Sequence, residues 1–301
     1  MGQYSSYYLY QKYEKRGEQD WIPVYPNTYS ISGDSQITMP IVEKSSADTA
    51  CGYVPPTPEA QYRWQTVDGY ICDDCGDAKV IIHTDDATIY ITGSGEVTRE
   101  EVSAYTSAAT DVVITNYATS IGASAFTDFA SVEFVRIPST VTSIGNGAFW
   151  GCDAMQECQI PYGVTTLGSR VFSTCTSLAY TDLPNSVTSI GHRCFASCFN
   201  LRYTSIPPSI TSIPEACFLN ADGLSDIELP STITAIGDRV FEGCNGLYSV
   251  TIKATTPPTL GSTVFGSVNP NLKIYVPAAS VNAYKAASGW STYASRIYPI
   301  S

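Results

Sequence analysis

Apolar residues recur along the later two-thirds of the chain with a period far longer than that of a single helix or strand. Phenylalanine stands at 126, 149, 172, 195, 218, 241 and 265, five steps of 23 residues followed by one of 24. Each closes the same phrase, cleanest in Val141-Thr142-Ser143-Ile144-Gly145-Asn146-Gly147-Ala148-Phe149. The column ahead of the glycine reads Ile121, Ile144, Leu167, Ile190, Ile213, Ile236 and Leu260. The glycine column reads Gly122, Gly145, Gly168, Gly191, Gly237 and Gly261, with Pro214 in its place once. A repeat of this length means stacked coils, because one coil cannot bury its apolar face alone, whereas neighbours cover one another and share backbone hydrogen bonds. At about 4.8 Å per strand, seven such coils make a rod roughly 35 Å long.

Inside each coil the segment before a proline alternates and predicts a strand. Val135 and Ile137, Cys158 and Ile160, Thr181 and Leu183, and Ile227 and Leu229 are its inward positions. Pro138, Pro161, Pro184, Pro207 and Pro230 end the strand at the same step of each coil, since proline cannot continue the ladder. The glycine column is expected to supply permissive backbone for the following turn. The phenylalanine fills the corner, and Met155, Leu178, Leu201, Leu224 and Leu247 lead into the next strand.

This phrase resembles the BspA-like leucine-rich repeats, which are common on the surfaces of gut Bacteroidetes and occur in some protists. The resemblance covers about residues 79–301 and implies a mainly β fold: a leucine-rich-repeat solenoid of about seven coils, closed by a cap at each end. Residues 77–110 resemble the N-terminal cap, with Val80-Ile81-Ile82 and Ile89-Tyr90-Ile91 around Gly93-Ser94-Gly95 and a Thr98-to-Glu101 capping box for a short helix. Residues 111–276 form the solenoid. Residues 277–301, through Gly289-Trp290, resemble the terminal helical cap that keeps an open solenoid end from aggregating.

Composition narrows what such a solenoid does. With 16 basic against 28 acidic residues the net charge is −12, a field that repels phosphate backbones and anionic membranes. No apolar run is long enough to span a bilayer. Met1-Gly2-Gln3-Tyr4-Ser5-Ser6-Tyr7 lacks the basic and apolar regions of a signal peptide, though it fits the loose Gly-x-x-x-Ser myristoylation pattern. No asparagine lies in a glycosylation sequon.

Cys152, Cys175, Cys198 and Cys244 share one column with Phe129, Ala221 and Val268, and Cys194 and Cys217 share another with alanine and valine. Residues that exchange with Phe, Ala and Val are read as core hydrophobes, and column neighbours lie side by side, which favours free thiols suited to a reducing compartment. Cys51, Cys72 and Cys75 lie outside the repeat. Cys72-Asp73-Asp74-Cys75 with His83 could hold zinc, form a loop disulfide, or remain thiols. His192 occupies a variable column with Asn146, Ser169 and Asp238 and is expected at the surface. No nucleophile elbow, HExxH or phosphate loop occurs, so neither catalysis nor a cofactor is expected.

Residues 1–76 have a different character: they hold Trp21, Trp64 and many tyrosines, and predict a small, aromatic, β-rich anchoring module. Strands are expected at Tyr7–Tyr13 and Trp21–Tyr25, with Val54-Pro55-Pro56-Thr57-Pro58 as a stiff connector. The run from Ala50 through Trp64 to Cys75 resembles tail-associated proteins of Bacteroides phages and prophages. That resemblance implies a virion-associated receptor-binding or adhesion protein, assembled in the host cytoplasm and then released. The alternative is a bacterial cell-surface adhesin. Under either, residues 1–76 meet virion or surface assembly proteins and the solenoid meets a host surface protein or glycan; a homo-oligomer is compatible with both. The outward strand positions Phe134, Arg136, Glu157, Gln159, Tyr180, Asp182, Tyr203, Ser205, Asp226 and Glu228 are the candidate binding face, with Tyr180 and Tyr203 expected to stack about 5 Å apart.

Overall fold

The computed structural model describes residues 87–300 apart from 92–94, 108 and 115–117, and, ahead of these, the backbone of short strands between 29 and 83. The segments expected as strands at Tyr7–Tyr13 and Trp21–Tyr25, and Cys51, lie outside the described residues. Tyr29–Ile31 pairs antiparallel with Ser35–Ile37, and Tyr62–Trp64 lies between Ile41–Glu43 and Gly52–Tyr53 in a second antiparallel sheet. Tyr70–Cys75, which carries Cys72 and Cys75, pairs antiparallel with Ala78–His83, and that strand with Thr88–Ile91.

From Thr88 onward the chain winds as a mainly β solenoid. The strand before each proline pairs in parallel with its counterpart one coil away: Thr88–Ile91, Asp111–Ile114, Phe134–Arg136, Glu157–Cys158, Tyr180–Thr181 and Tyr203–Thr204 follow in order. A further parallel group continues with Asp226–Leu229, Ser249–Ile252 and Lys273–Val276. These strands together are called the first sheet. All the inward positions expected from the alternation are buried.

A second parallel sheet runs along another side, built from Gly95–Val97, Ala118–Ile121, Ser143–Ile144, Thr166–Leu167 and Ser189–Ile190, then Ser212–Ile213, Ala235–Ile236 and Thr259–Leu260. Alternation did not announce it, because most of these strands are two residues long and expose only one turn of the pattern. Hydroxyl ladders reinforce it: Thr142, Thr165, Thr188 and Thr234 each donate through Oγ1 to the carbonyl of the threonine one coil earlier, at 3.1 to 3.3 Å.

The third side carries the phenylalanines as a continuous spine. Consecutive rings from Phe126 to Phe265 stack with centroids 5.3 to 5.7 Å apart and planes within 9°. Each ring is held by its backbone as well: Phe149 N–H donates to the Val171 carbonyl and Phe172 N–H to Cys194, one coil ahead. To make this corner the chain passes twice through the left-handed region. One column, two residues before the ring, is Ser124, Gly147, Arg170, Arg193, Ala216, Arg239 and Thr263; the other, two residues after it, is Asp128, Gly151, Thr174, Ser197, Asn220, Gly243 and Ser267.

The glycine column corrects the sequence reading. Gly122, Gly145, Gly168, Gly191, Gly237 and Gly261 are not among the residues with positive φ. They are small for a different reason: a Cβ on Gly191 would sit 2.3 Å from the Ser169 nitrogen, and one on Gly145 2.6 Å from the Ala123 nitrogen. The column is where one coil's backbone presses on the next, and its amides donate one coil back, as Gly145 N–H does to Ile121 and Gly168 N–H to Ile144.

Pro214 breaks that pattern. Proline has neither the N–H nor the bare Cα that the column requires, and the second sheet divides between Ser189–Ile190 and Ser212–Ile213. The first sheet divides on the same plane, between Tyr203–Thr204 and Asp226–Leu229. At this seam the inward Thr204 hydroxyl is buried with no hydrogen-bond partner, whereas Thr181 one coil earlier donates to the Cys158 carbonyl at 3.2 Å. The spine crosses unbroken: Phe195 and Phe218 stack at 5.4 Å, and Arg193, Phe195 and Ser197 donate to Glu215, Cys217 and Leu219, while at the corner between the sheets the Ser209 hydroxyl donates across the seam to the Val187 carbonyl, as Ser186 does to Val164 one coil earlier.

Both ends are closed. The N-terminal helix Arg99–Val102 begins as expected, with Thr98 N–H donating to the Glu101 carboxylate at 2.5 Å, and the Arg99 guanidinium lies over the Phe129 ring. At the other end the helix Val281–Ala286 and the 3₁₀ segment Trp290–Arg296 set Tyr284 and Trp290 on the last coil. Both rings are fully buried, and their polar atoms donate to the Ala254 and Pro258 carbonyls at 2.8 Å. The chain then adds Ile297–Pro299 in parallel to Lys273–Val276, a closing strand that no repeat phrase marks.

Candidate functional site

The solenoid has two solvent-facing sheet surfaces, and they differ sharply. Outward positions of the second sheet are mostly hydroxyl residues such as Thr119, Ser143, Thr166, Ser189 and Ser212, with Ala235 and, on its first strand, the exposed carboxylate of Glu96, and no large exposed hydrophobic side chain stands on its strands. The first sheet carries Phe134, Tyr180, Tyr203 and Tyr298 on its strands and Tyr248 immediately before one. These are five of the nine exposed large hydrophobic residues among those described. Isolated surface aromatics need no explanation, but several on one face while the other sheet has none make that face the candidate contact surface.

Strand register sets their order. Asp111, Phe134, Glu157, Tyr180 and Tyr203 follow one another as direct parallel partners in a single outward column. Two residues further along each coil a second outward column runs Arg136, Gln159, Asp182 and Ser205. The Ser205 hydroxyl donates to Asp182 at 2.5 Å and accepts the Leu183 N–H at 3.1 Å, so these two side chains are fixed across adjacent coils. Phe134, Arg136, Glu157 and Gln159 line a shallow open depression at the N-terminal end of the strip.

Of the ten positions singled out from sequence, Phe134, Arg136, Glu157, Tyr180 and Tyr203 lie on strands of one continuous sheet, and Gln159, Asp182 and Ser205 immediately follow the ends of three of those strands. Asp226 and Glu228 stand on the strand beyond the seam. Glu228 is already engaged there, with Lys253 Nζ at 2.5 Å, and Asp226 accepts the Ser225 hydroxyl at 2.7 Å. The backbones of Tyr180 and Tyr203 pair as expected, but among the described residues their rings form no stacked pair like those of the spine. Exposed tyrosines are not held parallel by packing on both sides. Tyr248 and Tyr298 went unnoticed: Tyr248 lies one residue ahead of its strand, and Tyr298 belongs to the closing strand outside the repeat. Tyr298 pairs with Tyr275, ring centroids 6.2 Å apart, and Lys273 Nζ lies 5.8 Å from its centroid.

The cysteine columns stand apart from this face. The seven described cysteines are buried and unpaired. Cys152, Cys175, Cys198 and Cys244 do more than fill space, since each thiol donates to the carbonyl of a phenylalanine 26 residues earlier at 3.0 to 3.2 Å. Burial pushes the Cys194 and Cys244 thiols from 9.0 up to about 12 and raises those of Cys158, Cys175, Cys198 and Cys217 as well, which disfavours the thiolate in these six at neutral pH. Among the described residues no three His, Cys, Asp or Glu side chains are grouped to hold a metal ion. His192 is exposed and lies 4.0 Å from Glu215.

A parallel two-sheet solenoid with a ring spine and capped ends defines a leucine-rich-repeat protein. Within that class the chain belongs to the BspA type leucine rich repeat family, whose model matches residues 99–225 and 211–287 in six copies. It is similar to a leucine rich cell surface protein of Faecalibacterium prausnitzii A2-165, with 26% identity over 62% of this chain and a TM-score of 0.51. The match spans 56% of that protein's own length. A leucine-rich repeat protein of Bacteroides ovatus ATCC 8483 is 20% identical over 70% of each chain, with a TM-score of 0.48. The T. pallidum leucine rich repeat protein is 19% identical over 73% of this chain and 93% of its own, with a TM-score of 0.42. No curated protein matches the sequence.

Proposed function

We propose that this chain is a non-enzymatic binding protein that uses the first-sheet face of its solenoid to hold a surface protein or glycan, in an adhesive role. The concentration of exposed aromatic side chains on that face, against a second sheet whose strands expose none, carries the reading. Solenoids offer long surfaces of this kind because each coil adds one equivalent strand position. The similarity to a cell surface protein of F. prausnitzii supports display at a bacterial surface. The virion reading has no counterpart among the similar proteins, so the cell-surface adhesin becomes the favoured setting and a tail or fibre protein the alternative.

The test is saturable binding of the fluorescently labelled full chain to intact cells from a panel of gut bacteria and to host epithelial surfaces. The expected result is saturable binding to at least one surface, reduced at least about tenfold in affinity by the Tyr180→Ala, Tyr203→Ala pair. Binding that persists unchanged in the folded double variant would assign recognition to another part of the chain.

A further inference from the structure

The two outward columns of the first sheet differ in chemistry and run side by side. One, in direct strand register, holds three rings and two carboxylates (Asp111, Phe134, Glu157, Tyr180, Tyr203); the other, two residues further along each coil, holds only hydrogen-bonding groups (Arg136, Gln159, Asp182, Ser205). Both run parallel to the solenoid axis, and both stop at the seam after Tyr203. We propose that this strip binds a neutral, extended polysaccharide lying along the axis, its sugar faces on the ring column and its hydroxyls on the polar column. The proposal rests on the first-sheet face being the binding face and names the ligand class for it.

Charge selects this ligand over charged ones. Along the strip Asp111, Glu157 and Asp182 would repel a polyanion and Arg136 interrupts the path of a polycation, so neither charged polymer is matched along its whole length. A neutral chain rich in hydroxyls meets no like charge and offers donors to each carboxylate, interactions stronger than neutral hydrogen bonds. Geometry selects shape. The column advances by one strand per coil in direct register, a step of about 4.8 Å, close to the advance per residue of an extended, equatorially linked pyranose chain. A coiled α-linked chain would leave the strip after one or two sugars. From Phe134 to Tyr203 are three coil steps, about 14 Å, which accommodates three or four sugars. Ring–sugar stacking at Tyr180 and Tyr203 provides apolar contact, and the Asp182–Ser205 pair is held in place before any ligand arrives, which lowers the entropic cost of binding.

The experiment is calorimetric titration of the full chain with β-1,4-linked glucose and N-acetylglucosamine oligomers from dimer to hexamer. The expected result is an affinity that rises at least about tenfold from dimer to tetramer in one series and then levels off. Tyr203→Ala is expected to weaken the tetramer about tenfold, with Tyr298→Ala, beyond the strip, as an unaffected control. No binding by any oligomer, or binding indifferent to length and to Tyr203→Ala, overturns the proposal. Cell binding that needs Tyr180 and Tyr203 while every oligomer fails would leave the first-sheet face as the binding face and identify its partner as a protein.

Discussion

At the scale of single residues the repeat reports composition faithfully and purpose less so. The phenylalanine column was legible as a packed corner, and its buried, stacked rings predict that Phe172→Ala destabilises the fold by about 3–5 kcal/mol, read from denaturant unfolding. The glycine column was legible only as a column. Its cause is contact between coils and not φ, a distinction that needs the neighbouring coil to be in view. Gly191→Ala, whose methyl would collide with Ser169 backbone, is therefore expected to cost about 1–3 kcal/mol by the same measurement. The left-handed columns were hidden because arginine, serine, threonine and asparagine occupy them more often than glycine. The cysteines give a pH dependence. A thiol whose folded pKa is raised above the unfolded value stabilises the fold below about pH 9, and that stability is lost as pH climbs toward 12. Melting temperature is expected to fall steadily above pH 9, and a Cys194→Ala variant to lose less of its own over that range.

At the scale of elements, periodic proline and alternating apolar positions made the first sheet readable, whereas two-residue strands concealed the second. Pro214 was visible in the sequence as an exception in the glycine column, but its effect on two sheets at once was not. The nearest-neighbour energetics of repeat proteins make such a break consequential, since each interface contributes to holding the stack together. Hydrogen exchange is expected to be faster at Ser212 and Ile213 than at Ser143 and Ile144, where the ladder is intact. Pro214→Gly restores the missing donor and the close approach, and is expected to slow exchange there and raise stability by about 1 kcal/mol, net of the extra backbone freedom of glycine. Unchanged exchange in that variant would mean that the seam has another origin.

At the scale of the whole molecule, the fold was readable from the 23-residue period, and the face that bears the candidate site was readable from strand alternation. Its subdivision was not, because nothing in the strand phrases at Tyr203 and Asp226 shows that one sheet ends between them. The far end of the face was missed for a related reason: Tyr298 arrives on a strand that belongs to no repeat. If the protein works under load, as the proposed adhesive role requires, the unbroken phenylalanine spine beside two interrupted sheets decides where tension goes: at the seam it passes through the spine and the Ser209–Val187 corner, because the sheet ladders themselves are interrupted there. Flexing of the stack is then expected at the seam before it reaches the coils from Phe134 to Tyr203, so that a load tilts the ring column before it distorts it.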